Sequence, residues 1–412
     1  MKTFKLSLFE AFGVELEYMI VDKTTLDVKP VADKLFEDVL GYSGNEVDLP
    51  LVSWSNELAR HVVEIKTSEP IADFSVLLQG FNDNIRLINE KLAKYHAVVL
   101  PGAAHPWMNP LKETVLWQHE NSEIYDTYNK IFNCSGHGWS NLQSTHINLP
   151  FANDEEFGRL HAAIRLIMPI IPALSASSPV LDGTSTGWHD TRLKYYQKNQ
   201  VMIPSITGKV IPEAVFSQND YQEKVFDVIA RDIAPHDPNG ILEPIWLNSR
   251  GAIARFDRGA IEIRIIDIQE CPAADLAILS LIIGALQLLS KEVLLPYNKQ
   301  IFWDAEKLHE LLNKIAKSGE ETIIDQKEYL QIFGVNHPIS VKDLWQHISE
   351  IVVKHGMVDL NIWEQQLKVI LNKGSLATRL LKAMDGNFHS SRLKEVYGEM
   401  ASCLANNNMF VP

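Results

Sequence analysis

Glu15 and Glu17 stand two residues apart in FGVELEYMIVD, Phe12–Asp22. Taken with a period of two, Val14, Leu16, Tyr18 and Ile20 point one way, while Gly13, Glu15, Glu17 and Met19 point the other. Two carboxylates side by side raise each other's pKa unless a cation sits between them. HVVEIKTS puts Val62, Glu64 and Lys66 opposite Val63 and Ile65. QSTHINLPF puts Ser144, His146 and Asn148 opposite Thr145, Ile147 and Leu149, and AIEIRIIDI puts Glu262 and Arg264 opposite Ile261, Ile263 and Ile265. Each strand has one apolar face and one bearing chemistry, a pattern suited to a largely antiparallel sheet.

A carboxylate-rich set without cysteine suits a hard cation, and Mg²⁺ or Mn²⁺ fits it better than zinc. Mg²⁺ commonly shares its coordination with substrate phosphates, so such a site asks for a nucleotide. The competing reading is a solvated strand face with harmless acids. The chain has no Walker motif, no G-x-G-x-x-G, no G-x-S-x-G and no H-E-x-x-H, and Ile206-Thr207-Gly208-Lys209 lacks the spacing of a phosphate loop. A bound nucleotide would therefore rest on metals and arginines of a sheet.

The elements that must position these residues alternate along the chain. Asp33–Gly41 is expected to be a short helix, and Tyr42–Ser55 reads as polar and turn-rich. Asp73 caps a helix carrying Phe74, Leu77, Phe81, Ile85 and Ile88, and Ala97–Gly102 reads as a buried strand. Asn109–Trp139 is an irregular, partly helical cover, and Asp154–Ile171 is a helix kinked or ended by Pro169 and Pro172. Ser175–Arg192 is a loop rich in Gly, Ser and Thr, of the kind that is more often functional than idle. Ala252–Asp257 and Ala260–Ile268 form a hairpin turning at Arg258-Gly259. From Pro272 the chain reads as successive helices, among them Val341–His355, Asp359–Lys373 and Ser391–Leu404. This tail is expected to pack on the apolar side of the sheet or to extend it.

The 412 residues allow a substantial core, and 46% hydrophobic with 22% charged residues is the balance of a soluble globular protein. With 38 basic and 52 acidic residues the formal charge is −14, and no basic stripe interleaved with aromatics marks a nucleic-acid binder. Cys134, Cys271 and Cys403, odd in number and far apart, argue for a reducing compartment. MKTFKLSLFEAFG has no long apolar run or small-residue cleavage site, so no signal peptide is expected. Ala273–Leu295 is the most apolar run, but Gln287, Lys291 and Glu292 interrupt it and favour a buried helix over a membrane span. The expectation is a cytoplasmic protein that acts on small molecules, without nucleic-acid or membrane partners. An assembly of identical copies is compatible with it.

GVELEYMIVD, VVEIKTSEP, LPGAAHP, STHINLPF, ALSASSPVLDGT and GAIEIRIID, in this order, resemble the glutamate–cysteine ligase family and its carboxylate–amine ligase relatives. The resemblance runs from Phe12 to Pro272, and the ordered set is more specific than any one block. It implies an α+β fold like that of glutamine synthetase, a curved, mainly antiparallel sheet with a polar concave face that binds Mg-ATP and helices on the other side. It implies that Glu15, Glu17 and Glu64 ligate Mg²⁺, that His146 and Glu262 complete the cluster, and that Arg264 contacts the transferred phosphate. Arg264 and Glu262 would be the catalytic pair, with Arg264 and Arg255 on the nucleotide. The Ser175–Arg192 loop would border the amino-acid site, with Arg192, Arg255 and Asn148 as substrate contacts.

One departure stands out: relatives often carry a further acid four residues before the position of Glu64, where this chain has Arg60, with Glu57 offset. A third metal would then be bound differently, or the substrate would differ. The implied activity is an ATP-dependent ligase that activates a carboxylate, glutamate's side chain, as an acyl phosphate and joins it to an amine such as cysteine, a step of glutathione biosynthesis. A metal-dependent hydrolase using the same acids and a non-catalytic nucleotide- or metal-binding relative remain the alternatives. Residues 1–295 are read as the catalytic domain and 296–412 as a helical extension packed on it.

Overall fold

The computed structural model of the chain describes residues 6–412, so Met1–Lys5, part of the stretch read for a leader, lie outside it. The period-two segments become strands: β1 (Gly13–Asp22), β2 (Glu46–Val47), β3 (Val52–Asn56), β4 (Val62–Thr67), β5 (Ala97–Leu100) and β6 (Ser144–Pro150). A small pair follows, β7 (Val180–Leu181) with β8 (Thr184–Ser185), and then the hairpin β9 (Ala252–Arg255) and β10 (Ala260–Asp267). Eight of these build one open sheet in the order β2-β3-β4-β1-β6-β10-β9, with β5 beside β1, and its pairings are antiparallel. β1 is the centre: β4 lies along one edge, while β6 and β5 share the other end to end.

Alternation decides what each face buries. Val14, Leu16, Tyr18 and Ile20 face the main core with Phe81 and Ile85 of the helix Phe74–Leu92, Leu160 and Ile164 of Asp154–Ile167, and the helix Pro272–Ser290. Asp73 caps the first of these by accepting from the Ser75 N–H at 2.8 Å. Pro272–Ser290 is long and apolar enough to cross a membrane, yet all of it is buried inside the protein. Gly259 turns the β9–β10 hairpin at φ +65°, a backbone conformation that glycine adopts without strain.

Two expectations are revised. Tyr42–Ser55 holds β2 and most of β3, and Val52 and Trp54 are fully buried; the serines and asparagine around them hide the alternation. The helical tail splits between the two faces of the sheet. Val341–Lys354 joins the main core. Leu376–Met384 and Ser390–Asn406 instead cover Met19, Val21 and Leu100 on the face that carries the acids. Along β1 that face is therefore acidic at residues 15 and 17, and sealed by apolar packing from residue 19 onward.

Candidate active site

Register brings the polar side chains together. β1 sets Glu15 opposite His146 on β6 and opposite Lys66 on β4, and Glu17 opposite Glu64. β10 sets Glu262 opposite Asn148. His146 Nδ1 lies 2.9 Å from Glu15 Oε2 and 3.6 Å from Glu262 Oε1, while its Nε2 lies 3.7 Å from Glu17 Oε1. Asn148 Nδ2 donates to Glu15 Oε1 at 3.0 Å, and Ser144 N donates to Glu17 Oε2 at 2.7 Å. Ser55 Oγ donates to Glu64 Oε1 at 2.5 Å. Arg264 Nε lies 2.9 Å from Glu262 Oε1. Of the residues expected at the metal and phosphate, all six converge here.

The cluster falls into two donor groups, Glu15–His146–Glu262 and Glu17–Glu64–His146, each with ligand atoms within 4.8 Å of one another. His146 turns a different nitrogen to each. Oxygen-rich groups with one imidazole fit Mg²⁺ or Mn²⁺. The electrostatics fit as well. Burial works against the Glu15 carboxylate, but the hydrogen bond from His146, with Lys66 and Arg264 nearby, takes its pKa down to about 2. Burial, reinforced by the charge of Glu15, pushes Glu64 up to about 7. Burial would lower His146, yet its bond to Glu15 and the charge of Glu17 hold it above its ordinary value. A buried acid held this high is a group short of positive charge, which a bound cation would supply.

Glu57 is the residue that spacing alone left aside. It lies in the turn between β3 and β4, where no period of two applies, and its carboxyl is pushed well up by burial and by Glu17 and Glu64. Arg60, four residues before Glu64, is paired with Asp33. The turn thus brings an acid toward the cluster from three residues earlier.

A cavity opens on each side of the cluster. One, of about 270 Å³, is lined by Glu17, Glu57, His146, Arg192, Arg264 and several aromatic side chains. The other, of about 410 Å³, is lined by Gly13, Glu15, Lys66, Asn148 and the backbone turn at Arg258-Gly259. A Cβ on Gly13 would come 3.1 Å from that of Asn148, so the glycine keeps the floor of this second cavity open.

Arg192 and Arg255, both read as substrate contacts, sit at opposite ends of β10. Arg192 is buried in the first cavity's wall, where Nη2 donates to the Arg264 carbonyl at 2.5 Å and Nη1 lies 3.6 Å from Asp267 Oδ1. Asp267 also accepts from Ser177 N at 2.8 Å and Ser178 Oγ at 2.9 Å, stitching the Ser/Thr-rich loop to the end of β10. Arg255 pairs with Asp257 at 2.8 Å and stands 3.9 Å from Glu262 Oε2, outside the lining of both cavities. Asp267 is a second residue missed; it follows Arg264 on the same strand, but nothing in its spacing marks it as the partner of Arg192.

The profile of glutamate-cysteine ligase family 2 (GCS2) matches residues 11–391. An uncharacterized protein of Archaeoglobus fulgidus is 29% identical over 402 residues, which is 97% of this chain and all of that one. The crystal structure of glutamate–cysteine ligase from Francisella tularensis, in complex with AMP, superposes with a TM-score of 0.58 at 12% identity, over 98% of this chain and 90% of that one. A bifunctional glutathione synthetase from Pasteurella multocida gives 0.52 at 13% identity, over 96% of this chain and 52% of that one. At these identities the two structures show a shared fold.

Proposed function

The chain belongs to glutamate-cysteine ligase family 2, and on that premise we propose an ATP-dependent ligase that activates a carboxylate and joins it to an amine. The observation that carries this reading is the two-group acidic cluster with a cavity on either side and Arg264 beside it. The donor we propose is the side-chain carboxylate of glutamate. Cysteine is the amine that the family's name puts first in line for testing.

Glu15, Glu17, Glu64, His146 and Glu262 would hold Mg²⁺ or Mn²⁺, which would screen the phosphates and the developing charge. The larger cavity, with Lys66 and Asn148 on its wall, is assigned to the nucleotide; Arg255, paired with Asp257 and outside that lining, would have to leave Asp257 to serve a phosphate. The smaller cavity is assigned to the donor acid and the amine. Arg264, on the wall of the smaller cavity beside Glu262, would meet the transferred phosphoryl group; burial works against its charge, but Glu262 holds it positive. Glu262 Oε1 lies both against that guanidinium and 3.6 Å from His146 Nδ1, so this carboxylate would orient the arginine and also offer a ligand to the metal. Arg192, fixed by Asp267, presents a cation to the donor's remote carboxylate. A cytoplasmic setting goes with three buried, free cysteines.

The test is a trap with hydroxylamine, a small nucleophile that needs no shaped pocket. Protein, Mg-ATP, glutamate and hydroxylamine should yield a hydroxamate with matching ADP. Hydroxamate or amide cleavage without ATP would overturn the ligase reading in favour of a hydrolase.

A further inference from the structure

Tyr125 and Tyr128, which line the smaller cavity, belong to the helix Ser122–Phe132. Of the eleven residues in that helix only Phe132 is buried, whereas Asp154–Ile167 buries ten of its fourteen. A segment with so few buried contacts opens at low cost. The residues flanking it, Asn121 at φ 63° and Asn133 at φ 54°, are both left-handed. Asparagine enters that region more readily than most side chains, and residues at the ends of an element are where a hinge absorbs its rotation. Two polar contacts tie the helix to other parts of the cavity wall. Tyr125 Oη accepts from Asn56 Nδ2, at the end of β3, at 3.1 Å. The Tyr128 hydroxyl donates at 3.5 Å, the long limit of a hydrogen bond, to the carbonyl of Trp246, which lines the same cavity from the short helix Pro244–Leu247. Rings of Tyr128, Phe132 and Trp139 pack with centroids 5.6–5.7 Å apart and anchor the C-terminal end.

We propose that Ser122–Phe132 is a lid on the smaller cavity. It swings about Asn121 and Asn133 to admit the donor and the amine, and Tyr125 and Tyr128 then seal it so that the acyl phosphate meets the amine and not water. This rests on the ligase reading and adds to it a device that chooses between two nucleophiles. In the joining step the amine nitrogen attacks the acyl carbon; the C–N bond forms as the C–O bond to phosphate breaks, and phosphate leaves with the electron pair. Water that reached the acyl phosphate would split it into the donor carboxylate and inorganic phosphate, its oxygen added to one product and the protons released to solvent. ATP would then be consumed with no amide formed, the loss that closure over a reactive intermediate prevents.

The test uses the full-length enzyme with Mg-ATP, glutamate and saturating hydroxylamine, and counts ADP against hydroxamate. Wild type should form about one ADP per hydroxamate. Tyr125→Ala combined with Tyr128→Ala should raise that ratio at least about twofold, because water then competes for the acyl phosphate. A double variant that loses ADP and hydroxamate in equal proportion would make the tyrosines ordinary wall and overturn the proposal. Hydrogen exchange on the wild type follows the hinge without turnover. Amides of Ser122–Phe132 should exchange faster than those of Asp154–Ile167 in the free enzyme. They should slow by at least about tenfold when Mg²⁺, glutamate and a non-hydrolysable ATP analogue are bound. Exchange that these ligands leave unchanged would overturn the lid even if the hydroxylamine trap upholds the ligase reading. A trap that stays silent with every acid tried would sink that reading and the shielding role with it, while the exchange rates would still decide whether the helix closes.

Discussion

Glu15 and His146 face each other across neighbouring strands, with Nδ1 2.9 Å from Oε2, and this pair joins the two donor groups of the cluster. One carboxylate accepts from His146 and Asn148 together, so two residues of the same neighbouring strand, β6, fix its position. Glu15→Gln keeps the size and the Asn148 contact but removes the charge. Affinity for Mn²⁺, titrated in the absence of nucleotide, should fall by at least about tenfold, and kcat should fall further. Unchanged Mn²⁺ affinity would place Glu15 outside the metal site.

Glu64 gives a pH signature. Its folded-state pKa of about 7 lies above the 4.5 of an unperturbed glutamate. Between those values the folded state binds a proton that the unfolded state does not, so stability contributed by this group falls as pH rises through the window. The Tm of metal-free wild type, relative to that of Glu64→Gln, should therefore drop between pH 4.5 and pH 7. Saturating Mg²⁺ should cancel the drop. A difference that stays flat across the window would mean that Glu64 is ionised throughout.

Arg264 separates phosphate from metal. Arg264→Lys keeps a charge beside Glu262 but loses the planar fork that grips two oxygens. We expect kcat to fall about 100-fold, the usual cost of one transition-state contact. The Mn²⁺ titration without nucleotide should hardly move; its collapse would make Arg264 a support for the acids.

The C-terminal helices are tied to the end of β10 by a buried ion pair. Arg379 pairs with Glu270, three residues past Asp267, and also donates to the Phe410 carbonyl at 2.6 Å. Arg379→Leu leaves Glu270 charged and unpaired in the core and frees the chain end, so urea unfolding should show a loss of about 3–5 kcal/mol. A loss under 1 kcal/mol would mean that water reaches Glu270 when the pair is broken.

How much of this was legible in the chain follows from where each residue sits. On β1 the alternation of Val14, Leu16, Tyr18 and Ile20 against two glutamates names the strand and its chemical face, because side chains repeat every two residues. The pairing of Glu15 with His146 needs the β1–β6 register, a contact between residues far apart in sequence that no local pattern encodes. Glu57 escaped because a turn, not a strand, delivers it. Asp267 escaped because its role comes from the loop that folds back onto it. The placement of Leu376–Met384 and Ser390–Asn406 was open for another reason: an amphipathic helix states that one side is buried, not which face of a sheet covers it.

The most direct measurement of the acyl-phosphate route follows an oxygen atom. In that route one carboxylate oxygen of the donor bridges to phosphorus and leaves with the phosphate when the amine attacks. With glutamate labelled by ¹⁸O in its side-chain carboxylate, Mg-ATP and an amine that turns over, each phosphate released should carry one labelled oxygen, matched to ADP formed. Amide formed with phosphate free of label, the lost heavy oxygen appearing in water instead, would contradict activation of the carboxylate by phosphoryl transfer.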